Sequence, residues 1–147
     1  MFHTKIIDTS IEKIDIKKAE KFISSNKNGA SIIFTGTVRD LNNNKRVSGI
    51  TYDAHDKLVI KSFEEIYENS KKKFNFENES VFIEHVKGYV ALGEISIIIA
   101  VSCKHRDQAY SLSRFIIEEI KKKSPIWKKE HYTDEKTSWL EGISLNK

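Results

Sequence analysis

The amino-acid sequence predicts an α+β fold in which three helices accompany a mixed, mostly antiparallel sheet and a C-terminal hairpin. Helical and strand patterns follow in the order helix, two strands, helix, two strands, helix and hairpin. Paired strands of this kind are expected to be antiparallel neighbours, unlike the strands of a doubly wound fold. The sequence contains no Rossmann or P-loop glycine motif. The 147 residues suffice for one hydrophobic core, so a single domain over residues 1–147 is predicted.

The first predicted helix precedes the first pair of strands. Its apolar residues recur at helical spacing and are Ile16, Ala19, Phe22 and Ile23. Asn28 and Gly29 are expected to stop this helix, because both residue types adopt the left-handed backbone of a C-terminal cap. The segment ASIIFTGTVR, residues 30–39, is predicted to be a strand with a bulge at Gly36. It is expected to pair with RVSGITYDAH, residues 46–55, across the polar turn NNNK.

The second half of the chain continues this order. The apolar face of the second predicted helix consists of Val59, Phe63, Ile66, Tyr67, Ser70 and Phe74. Residues 80–87 and 94–102 are predicted to be strands that join through GYVALG. A third helix follows, and Pro125 is expected to end it. Its apolar face consists of Ala109, Leu112, Phe115, Ile116 and Ile120. The segment IWKKEHYTDEKTSWLEG is predicted to be a hairpin that turns at TDEK.

Composition and charge restrict the class of protein. Apolar residues make up 39% of the chain and charged residues 31%, which is typical of a globular protein rather than a disordered one. The longest apolar run, IIIAV, is far shorter than the roughly 20 residues of a membrane helix, and no signal peptide is recognised, so a cytoplasmic protein is expected. The net charge of +4 favours anionic partners. Because the sequence has a single cysteine and no CxxC motif, we expect neither an internal disulfide nor a metal site.

The junction SCKHRDQAY is the first candidate for chemistry. A buried strand is predicted to end at Ser102 and a helix to start near Asp107, which leaves His105 and Arg106 beside free helix N–H groups. This pair forms either an anion site or part of a solvated loop, and the residues alone do not decide between the two. Cys103 finishes an apolar run and is interpreted as a small core residue rather than a nucleophile.

Two further basic features stand out. Arg39 closes a strand before the polar turn, where its guanidinium either binds a phosphate through two hydrogen bonds or is solvated. The segment KKKSPIWKKE begins with residues 121–123, whose charges complement the carbonyl end of the third helix. On the strand that follows, Lys128 and Lys129 point to opposite faces, and Trp127 is expected to anchor the strand in the core. One lysine of each cluster is expected to face a common pocket.

Four segments together carry a family resemblance: GASIIFTGTVRD, HVKGYVALGE, SCKHRDQAY and IKKKSPIWKKE. In this order and spacing, from about Gly29 to Trp139, they resemble the large, catalytic subunit of molybdopterin synthase, the MoaE family. The His-Arg pair followed by Lys-x-x-x-Pro-x-Trp-Lys is the most specific part. The resemblance implies an α/β hammerhead-like fold and a sulfurtransferase of molybdenum cofactor biosynthesis that requires no cofactor.

The resemblance also implies a reaction and its partners. Two sulfur atoms pass from the C-terminal Gly-Gly thiocarboxylate of a small ubiquitin-like subunit to cyclic pyranopterin monophosphate, which yields the dithiolene of molybdopterin. The family assembles as a heterotetramer around a homodimer of large subunits, and its pocket is shared between protomers. By position, Lys121 and Lys128 match the catalytic residues, whereas Arg39, His105 and Arg106 match the substrate-binding residues. No nucleic acid and no membrane is implied as a partner.

The sequence departs from the family pattern at two places and leaves two other hypotheses. It has HVKG at 85–88 where the family usually has His-Arg-x-Gly, and DAH at 53–55 where the family usually has a glutamate followed two residues later by an aromatic residue. An inactive relative retained as a scaffold is one alternative, against which the five matching basic residues argue. A basic RNA-binding module is the other, although the sequence has no RNP-like motif or GxxG loop.

Overall fold

The structure is a computed structural model that describes residues 1–133 and the backbone of residues 137–139. The strands in these residues are β1 (Phe2–Asp8), β2 (Ala30–Thr37), β3 (Leu41–Asn42), β4 (Lys45–Ala54), β5 (Ser80–Ala91), β6 (Ile95–Cys103), β7 (Ile126–Tyr132) and β8 (Thr137–Trp139). The helices are α1 (Ile16–Ile23), α2 (Asp56–Phe74) and α3 (Arg106–Lys123). The predicted α+β class with three helices is confirmed. The C-terminal hairpin is present as β7 and β8, although residues 134–136 of its predicted turn lie outside the described residues.

The described strands form one mixed sheet. Its main path runs β2, β6, β5, β4, β7 and β8, and each neighbouring pair on this path is antiparallel. The long strand β5 also pairs in parallel with β1 through residues 81–87, whereas its residues 88–91 pair with β4. The short strand β3 forms a hairpin with β4. The end of β5 therefore joins a part of the sheet that carries the helices to a second part made of β4, β7 and β8.

Helices cover both faces of β6, which explains its continuous apolar run IIIAV, as is typical of a strand buried on both sides. The smaller cluster, on the side of α1, consists of Ala19, Ile23, Phe82, Ile98 and Ala100. The larger cluster combines Ile97, Ile99 and Val101 of β6 with Phe63 and Ile66 of α2 and with Leu112, Ile116 and Ile120 of α3. The apolar helix faces predicted from periodicity are therefore the faces that pack on the sheet, except at Ile16, which is 39% exposed at the start of α1.

Capping and charge signals mark the ends of α2 and α3, and the predicted stop of α3 before Pro125 is confirmed. Helix α2 ends with Asn75 in the left-handed conformation, where its N–H donates to the carbonyl oxygen of Lys71. Helix α3 ends at Lys123, two residues before Pro125, and both helices carry three lysines in the last turn. Positive charge there stabilises the exposed carbonyl groups. No helix in the described part of the chain is long and apolar enough to cross a membrane.

The predicted pairing of residues 30–39 with residues 46–55 is wrong. Strand β2 pairs with β6, and β4 lies between β5 and β7. The asparagine turn exists, with positive φ angles at Asn43 and Asn44, but it joins the two-residue β3 to β4. In β2, Ile32 packs against the larger apolar cluster and Ile33 packs against the smaller one. Because its two faces are both apolar, β2 lies beside β6, where helices cover both faces of the sheet. The predicted bulge is confirmed, since the pairing register shifts directly after Gly36.

Two boundaries and one strand also differ from the prediction. Helix α1 ends at Ile23 with Ser24 in an extended conformation, so Asn28 and Gly29 do not form its stop. Strand β5 continues through most of GYVALG to Ala91, because Gly88 adopts a φ of 103° that lets the strand proceed past a bend. Strand β1 was not predicted, because its parallel partner lies far along the chain and no local turn signals such a pair.

His85 is a fully buried histidine on β5. Its Nδ1 lies 2.7 Å from the carbonyl oxygen of Val86, so Nδ1 carries the proton and donates it. Its Nε2 is buried without a hydrogen-bond partner among the described residues, and the ring contacts Tyr52 edge to face at 5.0 Å. Burial lowers the pKa of His85 to about 4, because the imidazolium form loses its hydration there. The native protein therefore holds His85 neutral.

We expect the free energy of unfolding to fall as the pH is lowered from about 6.5 to about 4. The unfolded chain binds a proton at His85 near pH 6.5, whereas the native chain resists it down to about pH 4. The stability present above pH 6.5 is thus lost as the pH falls through the native pKa, by at most about 3 kcal/mol. Urea unfolding of the wild type and His85→Gln at several pH values measures this effect. The variant should show a smaller loss, and equal losses would contradict the role of His85.

Candidate functional site

Arg39 and Lys128 lie in one cleft, which has a volume of about 80 Å³. The cleft is lined by Thr37, Arg39, Leu41, Asn42, Val47, Ile50, Tyr52, Lys128 and Glu130. Arg39 follows β2, whereas Lys128 lies on β7, and β6, β5 and β4 stand between these strands in the sheet. At the usual strand spacing this order separates β2 from β7 by about 19 Å. Arg39 and Lys128 therefore line the same cleft only because the chain after β2 crosses the sheet toward β4.

Backbone hydrogen bonds hold the crossing segment in place. The N–H of Val38 donates to the carbonyl oxygen of Glu94 at 3.2 Å, and the N–H of Gly93 donates to the carbonyl oxygen of Val38 at 2.9 Å. The N–H of Val47 donates to the carbonyl oxygen of Asp40 at 2.8 Å. Arg39 lies between these two attachments, and the side chain of Val38 is buried beside it. The backbone that carries the exposed Arg39 is thereby fixed on both sides.

Strand alternation turns Lys128 toward the cleft. Ile126, Lys128 and Glu130 share one face of β7, and the first and last of them are buried. On the neighbouring strand β4, Tyr52 is the register partner of Lys128. Lys129 points to the opposite face, as the alternation predicts. Among the lysines of the KKKSPIWKKE segment, Lys128 is the one that lines the cleft.

Glu130 is a charged residue of the cleft that the sequence interpretation missed. It is 2% exposed, and both carboxylate oxygens accept a hydrogen bond. Asn42 donates through Nδ2 at 2.6 Å, and the hydroxyl of Tyr132 donates at 2.7 Å. Two cations and one carboxylate thus share the cleft, which leaves it an excess of positive charge. The sequence signal was its position two residues after Lys128, which places both on the same face of a strand.

Tyr52 is a buried residue that lines the same cleft. Burial raises the pKa of its phenol, a hydrogen bond with Ser96 acts in the opposite direction, and the negative charge of Glu130 raises the pKa further. The phenol is therefore protonated at neutral pH and available as a donor. A guanidinium, an ammonium and a phenol around one small cavity suit an anion with several oxygen atoms, such as a phosphate.

His105 and Arg106 lie at the amino end of α3, and both are exposed. His105 occupies the N-cap position, where its N–H donates to Oε1 of Gln108 at 3.2 Å. Its carbonyl oxygen accepts the N–H of Ala109 at 3.2 Å. Positive partial charge at the helix start adds to the cationic character of this pair. The geometry suits an anion-binding surface, as the sequence suggests, but this surface does not belong to the cleft of Arg39.

Lys121 lies near the opposite end of α3 from His105 and Arg106. Arg106 and Lys121 are fifteen positions apart, which corresponds to about 22 Å along a helix. Lys121 is partly exposed and lies outside the lining of the cleft. A single chain therefore presents the five predicted residues at three places: the cleft, the start of α3 and the end of α3. Lys123 beside Lys121 pairs with Glu119 at 3.2 Å, which agrees with a structural role at the helix end.

Two other predictions about side chains have opposite outcomes. Cys103 is fully buried, and burial, followed by the charge of Glu79, raises the pKa of its thiol to about 11. A protonated, buried thiol is a poor nucleophile, so its interpretation as a core residue is confirmed.

The prediction that Trp127 anchors β7 in the core is wrong, because its side chain is 42% exposed. Ile126 takes the inward position directly after Pro125, and alternation then turns Trp127 outward.

Comparisons with known proteins identify relatives over most of the chain. Residues 9–123 match the family described as MoaE protein. A molybdopterin synthase catalytic subunit from Pyrococcus abyssi is 36% identical over 131 residues, which cover 89% of this chain and 86% of that protein. The corresponding subunit from Synechococcus elongatus is 34% identical over 139 residues, which cover 95% and 84%.

Solved structures agree with this relationship. The crystal structure of molybdopterin synthase from Staphylococcus aureus has a TM-score of 0.84 and 29% identity, and covers 93% of this chain and 96% of that chain. A chain from a complex of subunits 1 and 2 of the molybdopterin-converting factor of Helicobacter pylori has a TM-score of 0.74 at 24% identity, and covers 96% and 92%. The latter similarity concerns the fold. From the family match and the curated relatives, the chain belongs to the MoaE protein family.

Proposed function

We propose that this chain is the catalytic subunit of a molybdopterin synthase in molybdenum cofactor biosynthesis. It transfers two sulfur atoms to cyclic pyranopterin monophosphate, one from each of two small ubiquitin-like subunits with a thiocarboxylated C-terminus. Membership of the MoaE family supports the class of enzyme. The observation that carries the chemistry is the cleft in which Arg39, Lys128 and the buried Glu130 meet. The charges of this cleft support sulfur transfer to an anionic substrate.

The proposed reaction brings two anions together. A thiocarboxylate must approach a substrate that already carries a phosphate, and two like charges about 4 Å apart repel by about 1 kcal/mol in water and by more in a less polar cleft. Cationic side chains offset this repulsion and hold the reactants in contact. The positive excess of the cleft supplies that compensation. Because the sulfur arrives on the partner, the reaction needs no cysteine of this chain, in agreement with the buried thiol of Cys103.

Each cleft residue has a role that follows from its chemistry. Arg39 binds the phosphate through two parallel hydrogen bonds, for which a planar guanidinium is suited. Lys128 stabilises the thiocarboxylate and the negative charge that develops during transfer. Glu130, fixed by Asn42 and Tyr132, limits the positive charge of the cleft. The protonated Tyr52 donates a hydrogen bond to the substrate.

Lys121, His105 and Arg106 complete the site across two copies of the chain. Lys121 moves protons as the cyclic phosphate opens and water is lost, and Lys128 assists it. Arg106 and Lys121 of one chain are about 22 Å apart along α3, and this separation favours contributions from two chains to one site. As the resemblance to the MoaE family implies, His105 and Arg106 of one protomer bind substrate in the pocket of its partner. This arrangement requires a homodimer of large subunits, to which two small subunits add to form a heterotetramer.

The small subunit inserts a Gly-Gly tail, because a chain without side chains fits a narrow cleft. The Helicobacter pylori structure contains subunits 1 and 2 of a converting factor in complex, which supports a two-subunit enzyme among proteins of this fold. The inactive-scaffold hypothesis has no support in the geometry, since Arg39 and Lys128 retain a common cleft.

We expect Lys121→Ala to lower the rate of dithiolene formation by at least about 100-fold, the contribution typical of a positioned proton donor or acceptor. The assay mixes the purified protein with thiocarboxylated small subunit and cyclic pyranopterin monophosphate. Lys122→Ala is the matched control, because Lys122 lies in the same helical turn and is exposed. A Lys121→Ala protein that forms product at the wild-type rate would remove Lys121 from the mechanism.

We expect two inactive variants to restore activity when they are mixed. If the site combines Lys121 of one protomer with His105 of the other, dimers of Lys121→Ala with His105→Ala retain one intact site of two. Random exchange of protomers should then recover about one quarter of the wild-type activity. The measurement is product formation after the variants are unfolded and refolded together. Recovery should be absent when each variant is refolded alone, and no recovery in the mixture would contradict a shared site.

We expect no saturable binding of single-stranded RNA at physiological salt. Lys73 lies 5.3 Å above the ring of Phe115 and 5.7 Å above that of Phe74, so these rings already have a cation from the same chain. Arg114 pairs with Glu118 nearby at 3.0 Å, which lowers the local positive charge. A salt titration followed by fluorescence anisotropy tests this expectation. Binding whose affinity falls steeply with salt would instead support an RNA-binding module.

A further inference from the structure

The side chain of Asn28 connects three segments that are distant in sequence. Asn28 lies in the loop between α1 and β2, and its Nδ2 donates to the carbonyl oxygen of Asn78 at 2.8 Å. The same nitrogen donates to Oγ of Ser102 at 3.0 Å and lies 3.4 Å from the carbonyl oxygen of Ser102. Asn78 belongs to the loop before β5, and Ser102 lies near the end of β6. One amide group therefore joins its own loop to the loop before β5 and to the end of β6.

The chemistry of these contacts specifies an amide at position 28. Two of the three oxygens around Nδ2 are backbone carbonyls, which only accept hydrogen bonds, so a donor must face them. Oδ1 is buried and has no hydrogen-bond partner among the described residues. A carboxylate of the same shape would place an acceptor against two acceptors. The side chain thus serves as a donor to the end of β6, at the cost of one unsatisfied oxygen.

Gly29 makes a second contact with the same region. Its N–H donates to the carbonyl oxygen of Lys104 at 3.2 Å, which extends the pairing of β2 and β6 one step beyond Ala30 and Cys103. A Cβ atom at Gly29 would lie 2.9 Å from that oxygen, and this is closer than a carbon normally approaches. The close approach therefore requires glycine. The extended ladder ends at Lys104, directly before His105.

We propose that Asn28 and Gly29 form a latch that positions His105 and Arg106 for substrate binding. His105 and Arg106 are exposed, so the direction of their side chains depends on the backbone from Ser102 to the first turn of α3. The latch holds that backbone at Ser102 through Asn28 and at Lys104 through Gly29. Asn28 and Gly29 are positioning residues that act through this backbone. The proposal rests on the proposed function, because it assigns the ordering of His105 and Arg106 to the binding of the anionic pterin.

The first experiment measures the conformational effect without the reaction. Amide hydrogen exchange of the full-length protein is compared for the wild type, Asn28→Ala and the matched control Asn26→Ala. Asn26 lies in the same loop and is exposed. We expect faster exchange in Asn28→Ala at Gly29, His105 and Ala109, whose N–H groups are bonded within or beside the latch. Unchanged exchange at these three amides would overturn the latch.

The second experiment measures catalysis with thiocarboxylated small subunit in excess and varied cyclic pyranopterin monophosphate. We expect Asn28→Ala and Gly29→Ala to raise KM about fivefold, equivalent to about 1 kcal/mol, with kcat changed less than about twofold. Asn26→Ala should match the wild type. A residue needed only for folding would lower the active fraction, so kcat would fall with KM unchanged. A lower kcat with an unchanged KM would overturn the positioning role. An unchanged KM in Asn28→Ala, together with faster amide hydrogen exchange in that variant, would also overturn it.

The two experiments separate the latch from the proposed function. A folded wild-type protein that forms no product with a competent small subunit would overturn the proposed function, and with it the catalytic role of the latch. Faster exchange in Asn28→Ala would then still support the conformational part, which concerns the backbone from Ser102 to His105. Normal wild-type activity with no exchange difference would overturn the latch and leave the proposed function intact.

Discussion

The change of pairing partner along β5 is the constraint on which the rest of the structure depends. The strand pairs in parallel with β1 through residues 81–87 and then with β4 through residues 88–91. Gly88 lies at the change with a φ of 103°, and a Cβ there would collide with the side chain of Thr9. Only glycine adopts this φ without strain and also lacks the Cβ that would collide with Thr9. Through this strand the helix-covered part of the sheet and the part with the cleft become one framework.

The electrostatic character of the cleft follows from that framework. Arg39 arrives from one part of the sheet and Lys128 from the other, and the buried Glu130 lies with them. A buried carboxylate persists only with hydrogen-bond donors, which Asn42 and Tyr132 provide. The remaining basic residues lie at the two ends of α3, an 18-residue helix that acts as a rigid spacer. This distribution explains why one chain presents the parts of a site at separate places.

Several features could be predicted from residue patterns, because they arise from local geometry. The apolar faces of all three helices follow from a period of 3.6 residues, and the end of α3 follows from Pro125. The inert character of Cys103 follows from its place in an apolar run. The orientation of Lys128 relative to Lys129 follows from strand alternation. For β7, the large apolar side chain of Trp127 favours an inward position, and this prediction is wrong. Ile126 is the inward residue, and alternation along the strand turns Trp127 outward.

By itself, the sequence determined the α+β class, the positions of the helices and the candidate basic residues, since periodicity, capping and charge act over a few residues. The tertiary structure alone decided which strands are neighbours. Strand pairing is set by the burial of both faces of a strand, as for β2 beside β6, and that depends on residues far apart in the chain. The same long-range packing decided that Glu130 shares the cleft with Arg39, and that Asn28, expected to stop a helix, instead holds the end of β6.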